Sequence, residues 1–198
     1  EQQPDQWKRL AEIVAERNPQ KIAMNISSQT ALADGLSHSQ YEDFVAALPP
    51  EYRERIVPAG PLAIGWLESR IPAEMEVYPS IVRLAHAIIA EALSDKVITP
   101  GQTTAEDVQW WMREKISVLG LKTWFHPSLA IFRASEAGEL TGDAVIQPGD
   151  MLWTDFGITY LGLNTDTQHL AYVLRPGETD APAGLKAGLA AAKRCRTC

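Results

Sequence analysis

The sequence predicts an α+β fold in two consecutive parts of different texture. Residues 1–72 alternate short helical and extended segments, whereas residues 73–198 begin with two long helices and continue as extended segments separated by turns. An α/β segment followed by a group of helices and a group of strands indicates the α+β fold class for the whole chain. Because a long helical pattern starts directly after Ile71-Pro72, this dipeptide is the predicted boundary between two domains.

The first part is predicted to be a piece of an α/β domain with an incomplete sheet. Apolar residues recur at helical spacing up to Asn18-Pro19, which ends the first helix. Ser39 and Glu42 form a predicted capping box for the second helix, which Pro49-Pro50 ends. The predicted helices span residues 5–17, 39–48 and 62–68, and the predicted strands span residues 21–26 and 53–57.

The second part is predicted to combine three helices with antiparallel strands. Thr103 and Glu106 indicate the start of its second helix, and Gly120 indicates the end. Pro148-Gly149-Asp150 is a predicted turn between two of the strands. The predicted helices span residues 73–93, 103–119 and 181–194, and the extended segments span residues 123–133, 144–147, 151–158 and 161–174.

Two consecutive aromatic residues, Trp110 and Trp111, lie on the second of these helices. Neighbouring positions point to different sides of a helix, so both rings cannot pack on one face. We expect one ring to pack in the core and the other to meet a neighbouring domain or subunit. A homodimer is compatible with this pattern.

The overall charge argues against two classes of partner. The formal net charge is -7 and the pI is about 5.1, whereas proteins that bind nucleic acid normally present a basic face to phosphates. No apolar run approaches the roughly 18 to 20 residues of a membrane span, and the first ten residues lack the layout of a signal peptide. We expect a soluble protein without a nucleic-acid or membrane partner, and the cytoplasm is favoured among the compartments that stay open.

The two cysteines, Cys195 and Cys198, have C-x-x-C spacing. This spacing suits a zinc half-site or a redox pair. A zinc ribbon needs a second ligand pair, however, and a thioredoxin motif needs a strand-to-helix setting. The sequence therefore favours neither role for this pair.

Two aspartates lie within the apolar extended segments 151–158 and 161–174. If these strands form a hairpin centred between Tyr160 and Leu161, Asp155 faces Asp166 on the same side of the sheet. Carboxylates placed about 5 Å apart at Cβ repel each other unless one is protonated or a cation lies between them. Magnesium, manganese and similar hard cations prefer such oxygen ligands, and zinc is less favoured. Alternatively, one aspartate is solvated or forms a turn at a strand end.

Two glycines flank the hairpin at positions 157 and 162. Glycine suits a bend or bulge at which the backbone approaches a bound ion or substrate. Alternatively, Gly157 and Gly162 only ease the formation of the hairpin.

The string D-F-G-x-x-Y-x-G-x-x-x-D-T at residues 155–167, preceded by Q-P-G-D-M-L at residues 147–152, resembles a motif of pita-bread metallopeptidases. The resemblance is to the Xaa-Pro aminopeptidase and prolidase type. It is specific at the hairpin and looser upstream, where it extends to a creatinase-like amino-terminal domain. It implies that residues 1–72 are a remnant of that α/β domain and that residues 73–198 are the first half of a pita-bread fold.

The resemblance also implies a metal centre and a reaction. Asp155 and Asp166 match two metal-ligating aspartates, of which Asp166 corresponds to the one that bridges two metals; Thr167 and Gln168 belong to the short motif that follows it. The family uses two divalent ions, usually manganese or cobalt, with zinc less expected. A metal-bound hydroxide attacks the scissile carbonyl. The implied substrates are peptides with proline after the released residue.

This sequence departs from the family's pattern in two respects. The family's remaining ligands, one His and two Glu, lie many tens of residues beyond the second aspartate, and this sequence ends at residue 198. We therefore expect an incomplete form with weak activity or none.

The second departure concerns a histidine that contacts substrate in the family. The family's pattern places this His near Ala137 of this sequence. His126 is the nearest catalytic candidate; alternatively, it is only a packed or capping side chain. His169 is a candidate for substrate binding or is solvated.

The sequence also allows two hypotheses other than a metallopeptidase. One is a non-catalytic pita-bread binding protein that has lost its metal site. The other is a creatinase-like enzyme that acts on a small amidine without a metal, and the retained aspartate pair argues against it. The two remaining histidines, His38 and His86, are expected to be structural.

Overall fold

The structure of this chain, a computed structural model, describes residues 5–195. The chain divides into two compact units, Glu1–Ile71 and Pro72–Cys198. This division falls within the dipeptide Ile71-Pro72. Helices and strands are both present, so the predicted α+β class is confirmed. Cys198 lies outside the described residues and the side chain of Cys195 is not described, so the C-x-x-C pair stays open.

The first unit contains four helices, a 3₁₀ turn and a two-stranded parallel sheet in its described part. Ile22 pairs with Ile56 across this sheet, and a small core packs beside it. The elements are α1 (Gln6–Arg17), β1 (Ile22–Met24), the 3₁₀ turn (Ala31–Ala33), α2 (His38–Ala47), α3 (Pro50–Arg53), β2 (Ile56–Pro58) and α4 (Gly60–Glu68). The buried core residues are Ala11, Val14, Met24, Phe44, Leu48 and Tyr52.

Two local details of the first unit differ from the sequence-based expectation. The capping box of α2 uses Ser37 and Gln40 instead of Ser39 and Glu42. The sequence contains both overlapping boxes, and Ser37 is the residue with the extended backbone that a cap requires. Pro50 starts the short helix α3, which was not predicted; proline is tolerated there because the first helical N–H has no intrahelical partner.

The second unit places two long helices against an antiparallel sheet. The strand order is β3-β4-β7, and β5 and β6 form the tip of a hairpin that continues β4 and β7. The elements are α5 (Pro72–Ala92), α6 (Ala105–Val118), β3 (Ser128–Phe132), β4 (Met151–Phe156), β5 (Thr159–Tyr160), β6 (Leu163–Asn164), β7 (Thr167–Tyr172) and α7 (Ala183–Cys195).

One continuous apolar core lies between the helices and one face of the sheet. It consists of fully buried aliphatic residues of α5 and α6 together with alternate residues of the strands. The largest buried side chains are Phe156, Ile88, Ile89, Met112, Leu129, Ile131, Ile146, Leu152 and Ile158. This packing leaves the other face of the sheet available for polar side chains of β4 and β7.

The start of α6 and the segment before the sheet also depart from expectation. Thr104 and Asp107 form the capping box of α6, because the hydroxyl of Thr103 instead accepts a hydrogen bond from the Thr99 N–H. Residues 144–147 form no regular strand; Val145 makes one isolated bridge to Thr104. The Val145 carbonyl instead accepts a hydrogen bond from the Arg133 guanidinium at 2.8 Å.

The tryptophan pair of α6 is divided between core and solvent. Trp111 packs against the apolar core, as expected for one member of the pair, while Trp110 is 57% exposed. The Trp110 indole N–H donates to Glu106, and the Arg113 guanidinium lies over its ring at 4.7 Å. That Trp110 meets another domain or subunit stays a prediction.

None of the helices within residues 5–195 has both the length and the apolar character required to cross a membrane.

Candidate metal centre

The two aspartates singled out by the sequence lie on the sheet face that points away from α5 and α6. Side chains alternate between the two faces of a strand. Leu152, Thr154 and Phe156 of β4 are buried beneath the helices, so Asp155 projects from the opposite face. On β7, the residue that faces Asp155 is Gln168.

This register corrects the expected opposition of Asp155 and Asp166. The hairpin is centred between Leu161 and Gly162, because Tyr160 pairs with Leu163 and Thr159 pairs with Asn164. Both central residues have left-handed backbone, with φ of 51° for Leu161 and 77° for Gly162, as in a type I′ turn. Gly162 therefore eases formation of the hairpin turn, which is one of the two roles that the sequence left open for it.

A shift of the hairpin centre by one residue moves the cross-strand partner by two positions. Asp166 therefore lies one diagonal step from Asp155, next to Gln168, and stays on the same face of the sheet. The two carboxylates remain neighbours although they are not directly opposed. The Gln168 carboxamide lies between them: its Nε2 donates to Asp155 Oδ1 at 3.3 Å and to Asp166 Oδ1 at 3.4 Å.

Hydrogen bonds on both sides of Asp166 hold its backbone in place. Buried Thr165 accepts from the Ile158 N–H through its hydroxyl at 3.0 Å, and its own N–H donates to the Ile158 carbonyl at 2.9 Å. The hydroxyl of Thr167 donates to the Phe156 carbonyl at 3.1 Å. Asp166 is thus the exposed residue between two anchored threonines.

Aromatic side chains tie the same segment to the rest of the unit. The Trp124 indole N–H donates to the Thr165 carbonyl at 2.9 Å, and the Tyr78 hydroxyl of α5 donates to the Asn164 carbonyl. These bonds connect the segment that carries Asp166 to α5 and to the loop before β3. Sequence reasoning did not assign Trp124 and Tyr78 to the site, because nothing in their local pattern distinguishes them from core aromatics.

Gly157 lies where the strands approach too closely for any other residue. A Cβ atom at this position would overlap the Thr165 carbonyl oxygen and the edge of the Phe125 ring. The φ angle of Gly157 is not in the left-handed region, so the requirement is one of space and not of backbone conformation. Gly157 therefore permits the close pairing that places Asp166 beside Asp155.

The neighbouring carboxylates disfavour full ionisation of the site. Partial desolvation, and then the charge of Asp155, raise the pKa of Asp166. Two like charges held on a partly hydrated surface are stabilised by a proton or by a cation. The electrostatics of this pair therefore favour binding of a positive charge.

The two histidines proposed for the site have different positions. His126 is exposed and lies two residues before β3, whose first residue, Ser128, pairs with Asp155. A role for His126 in catalysis stays a prediction. His169 pairs with Thr154, whose side chain is buried on the helix side, and its ring contacts His86 of α5. Because His169 does not share a face with the aspartates, this placement argues against its contacting substrate beside them.

The donor set suits part of a site for a hard divalent cation. Asp155 and Asp166 offer carboxylate oxygens, and rotation of the Gln168 side chain would offer an amide oxygen, all of which suit manganese or magnesium. Within residues 5–195, no group of three or more His, Cys, Asp and Glu side chains is placed to hold a metal. The described residues thus fit a cation as a partial set of protein ligands.

Comparison with known proteins identifies the fold. No family model and no curated protein sequence matches the chain. Among solved structures, an Xaa-Pro dipeptidase from Bacillus anthracis is 19% identical, with a TM-score of 0.57 over 91% of this chain and 46% of its own. An X-Pro aminopeptidase from Thermotoga maritima is 16% identical, with a TM-score of 0.57 over 94% of this chain and 49% of its own.

A prolidase from Pyrococcus furiosus shows the same likeness, with 17% identity and a TM-score of 0.56 over 84% of this chain and 48% of its own. The chain therefore spans about half the length of these structures. The predicted likeness of fold to prolidases and Xaa-Pro aminopeptidases is confirmed. At this level of identity the likeness concerns the fold alone.

Proposed function

We propose that this chain is part of a metal-dependent aminopeptidase or dipeptidase that acts on Xaa-Pro peptides. Asp155 and Asp166 are the proposed metal ligands. The observation that carries the proposal is the placement of these two carboxylates as diagonal neighbours on one open sheet face, where desolvation and then the charge of Asp155 raise the pKa of Asp166. The likeness of fold to an Xaa-Pro dipeptidase and to prolidases supports the choice of reaction.

Two divalent ions, manganese or cobalt in preference to zinc, are the proposed cofactors. The donors of Asp155 and Asp166 are oxygens, which hard cations prefer, whereas zinc favours nitrogen and sulfur. When bound, such ions polarise a carbonyl group as Lewis acids and lower the pKa of coordinated water. The proposed substrate is a peptide with proline after the residue that is released.

The chain's own residues would then orient the site. Thr165 and Thr167 hold the backbone on both sides of Asp166, and Gly157 allows the strands to come close enough for Asp155 to reach the same cation. His126, on the approach to β3, is the proposed residue for contact with substrate. A proton donor there would stabilise negative charge as it develops on the scissile carbonyl oxygen.

Manganese binding to this chain tests the metal site directly. Isothermal titration should show weak binding by the parent chain, and loss of that binding in Asp155→Asn and Asp166→Asn. Asp143→Asn is a matched control, because Asp143 is an exposed aspartate away from the hairpin. Equal manganese binding by the parent and both hairpin variants would show that these aspartates are not ligands.

Hydrolysis of an Xaa-Pro peptide tests the activity. The assay uses the longest open reading frame that contains this sequence, with added manganese, and compares the parent protein with Asp155→Asn and Asp166→Asn. We expect the substitutions to lower kcat/KM by at least about a thousandfold, because each removes a metal ligand. If that protein neither binds manganese nor hydrolyses the peptide, the alternative of a non-catalytic binding protein replaces this proposal.

A further inference from the structure

A pair of histidine side chains lies on the opposite face of the sheet from the aspartates. His86 projects from α5 and His169 from β7, and their ring centroids are 4.7 Å apart with an interplanar angle of 89°. His86 is exposed and His169 is half-buried, so the pair is accessible to solvent from one side. Two imidazoles from different elements thus meet at the junction between helix and sheet.

The ring nitrogens of both residues have no hydrogen-bond partner within the described part of the protein. Neither imidazole donates to or accepts from any described residue, whereas a buried histidine in a structural role usually has at least one such side-chain bond. Thr154 faces His169 across the ladder, but its hydroxyl donates a hydrogen bond to the Ser128 carbonyl at 2.8 Å. The nitrogens therefore remain available for a ligand.

The separation of the rings is that of an edge-to-face contact, and it also permits two imidazoles to share one cation. With a nitrogen–metal bond of about 2.0–2.1 Å, and a ring nitrogen roughly 1.1 Å from the ring centre, two bound rings have centroids about 4.5 Å apart at a right angle and about 5.2 Å apart at the tetrahedral angle. The observed 4.7 Å lies between these values. Rotation of a ring about Cβ–Cγ exchanges nitrogen and carbon positions with little movement of its centroid.

The surroundings of His169 favour the neutral form of its imidazole. A coordinating imidazole must be neutral. Partial burial, and then the proximity of His86, lower the pKa of His169. Arg83, which lies three residues before His86 on α5, donates to the Ser80 hydroxyl at 2.9 Å and therefore points towards the start of the helix.

We propose that His86 and His169 form a binding site for a borderline divalent cation such as Zn²⁺, with water completing the coordination. Imidazole suits zinc, nickel and copper, whereas the carboxylates on the other face suit manganese. The two faces of one sheet therefore discriminate between two classes of cation. A cation on this pair joins α5 to β7 and stabilises the folded chain by an amount that grows with the logarithm of the free cation concentration above Kd.

Zinc chloride is the probe for this site, with the whole chain as the test protein. Isothermal titration should show one zinc bound per chain, and His86→Ala and His169→Ala should each weaken binding by at least about tenfold, because each removes one of the two protein ligands. The control His38→Ala changes a histidine of the first unit. The double variant Asp155→Asn/Asp166→Asn separates this site from the carboxylates. His38→Ala and Asp155→Asn/Asp166→Asn should both bind zinc with the same affinity as the parent chain.

A ligand exchange provides a second test that is insensitive to loss of side-chain packing. His86→Cys replaces one zinc ligand with another at an exposed helix position, so it should restore most of the affinity that His86→Ala loses. Thermal unfolding should show a rise in Tm with zinc for the parent and for His86→Cys, but not for either alanine variant.

Three results would overturn the proposal. The first is that the parent chain binds no zinc. The second is that His86→Ala or His169→Ala binds zinc with the same affinity as the parent chain. The third is that zinc binding disappears in Asp155→Asn/Asp166→Asn. None of these results depends on the proposed peptidase activity, because the site lies on the face opposite to Asp155.

Discussion

Asp155 faces Gln168 across the β4–β7 ladder, and the Gln168 carboxamide lies between the two carboxylates of the site. A neutral donor thus occupies the position where a cation would neutralise the pair. Gln168 is close enough to both aspartates to serve as a further ligand if its oxygen turns towards the cation. The residue at this position therefore influences the affinity of the site for metal.

The first prediction concerns Gln168→Glu. A third carboxylate beside Asp155 and Asp166 should strengthen manganese binding by about tenfold and should lower the stability of the metal-free chain through like-charge repulsion. Isothermal titration and urea unfolding measure the two effects. Gln102→Glu, at an exposed turn, is the control for added charge. Unchanged manganese affinity in Gln168→Glu would show that the residue does not face the cation.

The second prediction concerns the pH dependence caused by Asp166. Because desolvation and Asp155 raise its pKa in the folded state, its contribution to stability is fully present below the unfolded-state pKa and is lost as the pH rises through the folded-state pKa. Asp166→Asn removes this loss. The variant should be more stable than the parent at neutral pH by about 0.5 kcal/mol, a small value because the residue is exposed to solvent.

Urea unfolding at neutral and acidic pH checks the Asp166→Asn prediction. The difference in unfolding free energy between variant and parent should vanish at acidic pH, where the parent carboxyl is protonated. A difference that is constant with pH would mean that the substitution acts through something other than ionisation. Asp143→Asn, an exposed aspartate, controls for the change in net charge.

The third prediction compares two glycine substitutions. Gly157→Ala should destabilise the chain by about 3 kcal/mol, because its Cβ has no room beside the Thr165 carbonyl and the Phe125 ring. Gly188→Ala in α7 should stabilise it by up to about 1 kcal/mol, because the new methyl group meets open space and alanine favours helix. Denaturant unfolding measures both. Equal effects would contradict the close approach at Gly157.

The fourth prediction concerns the turn of the hairpin. Leu161 adopts φ of 51° although its side chain is 70% exposed and gains little from packing. Leu161→Asn should stabilise the chain by about 1 kcal/mol, because asparagine tolerates this conformation. Leu161→Ala is the control, since alanine keeps the unfavourable conformation. If both variants lose stability equally, the hairpin has a different centre.

The fifth prediction concerns the pair Arg133–Asp150, which closes the turn before β4. Asp150 is 1% exposed and accepts two hydrogen bonds from the Arg133 guanidinium, at 2.8 and 2.9 Å, and one from the Gln147 N–H. Arg133→Met should cost about 3–5 kcal/mol, because it leaves a buried carboxylate without its cation. The exposed pair Lys186–Asp180 provides the control: Lys186→Met should cost far less stability than Arg133→Met, because both of its charges remain solvated.

Most helices could be predicted from the sequence, because their apolar periodicity and their end signals agree. The starts of α2 and α6 could not be placed to the residue. Two overlapping capping boxes compete at each start, and the choice depends on contacts such as the bond between Thr99 and Thr103. The short helix α3 was missed because Pro50 was interpreted only as the end of the preceding helix.

The sequence by itself determined that Asp155 and Asp166 share one face of the sheet, because the period of two along a strand survives a register shift of two positions. Only the tertiary structure decided which residue stands between them. The left-handed backbone at Leu161 and Gly162 places the centre of the hairpin and thereby brings Gln168 opposite Asp155. The meeting of His86 with His169 likewise depends on the packing of α5 against β7, which no local pattern in either segment encodes.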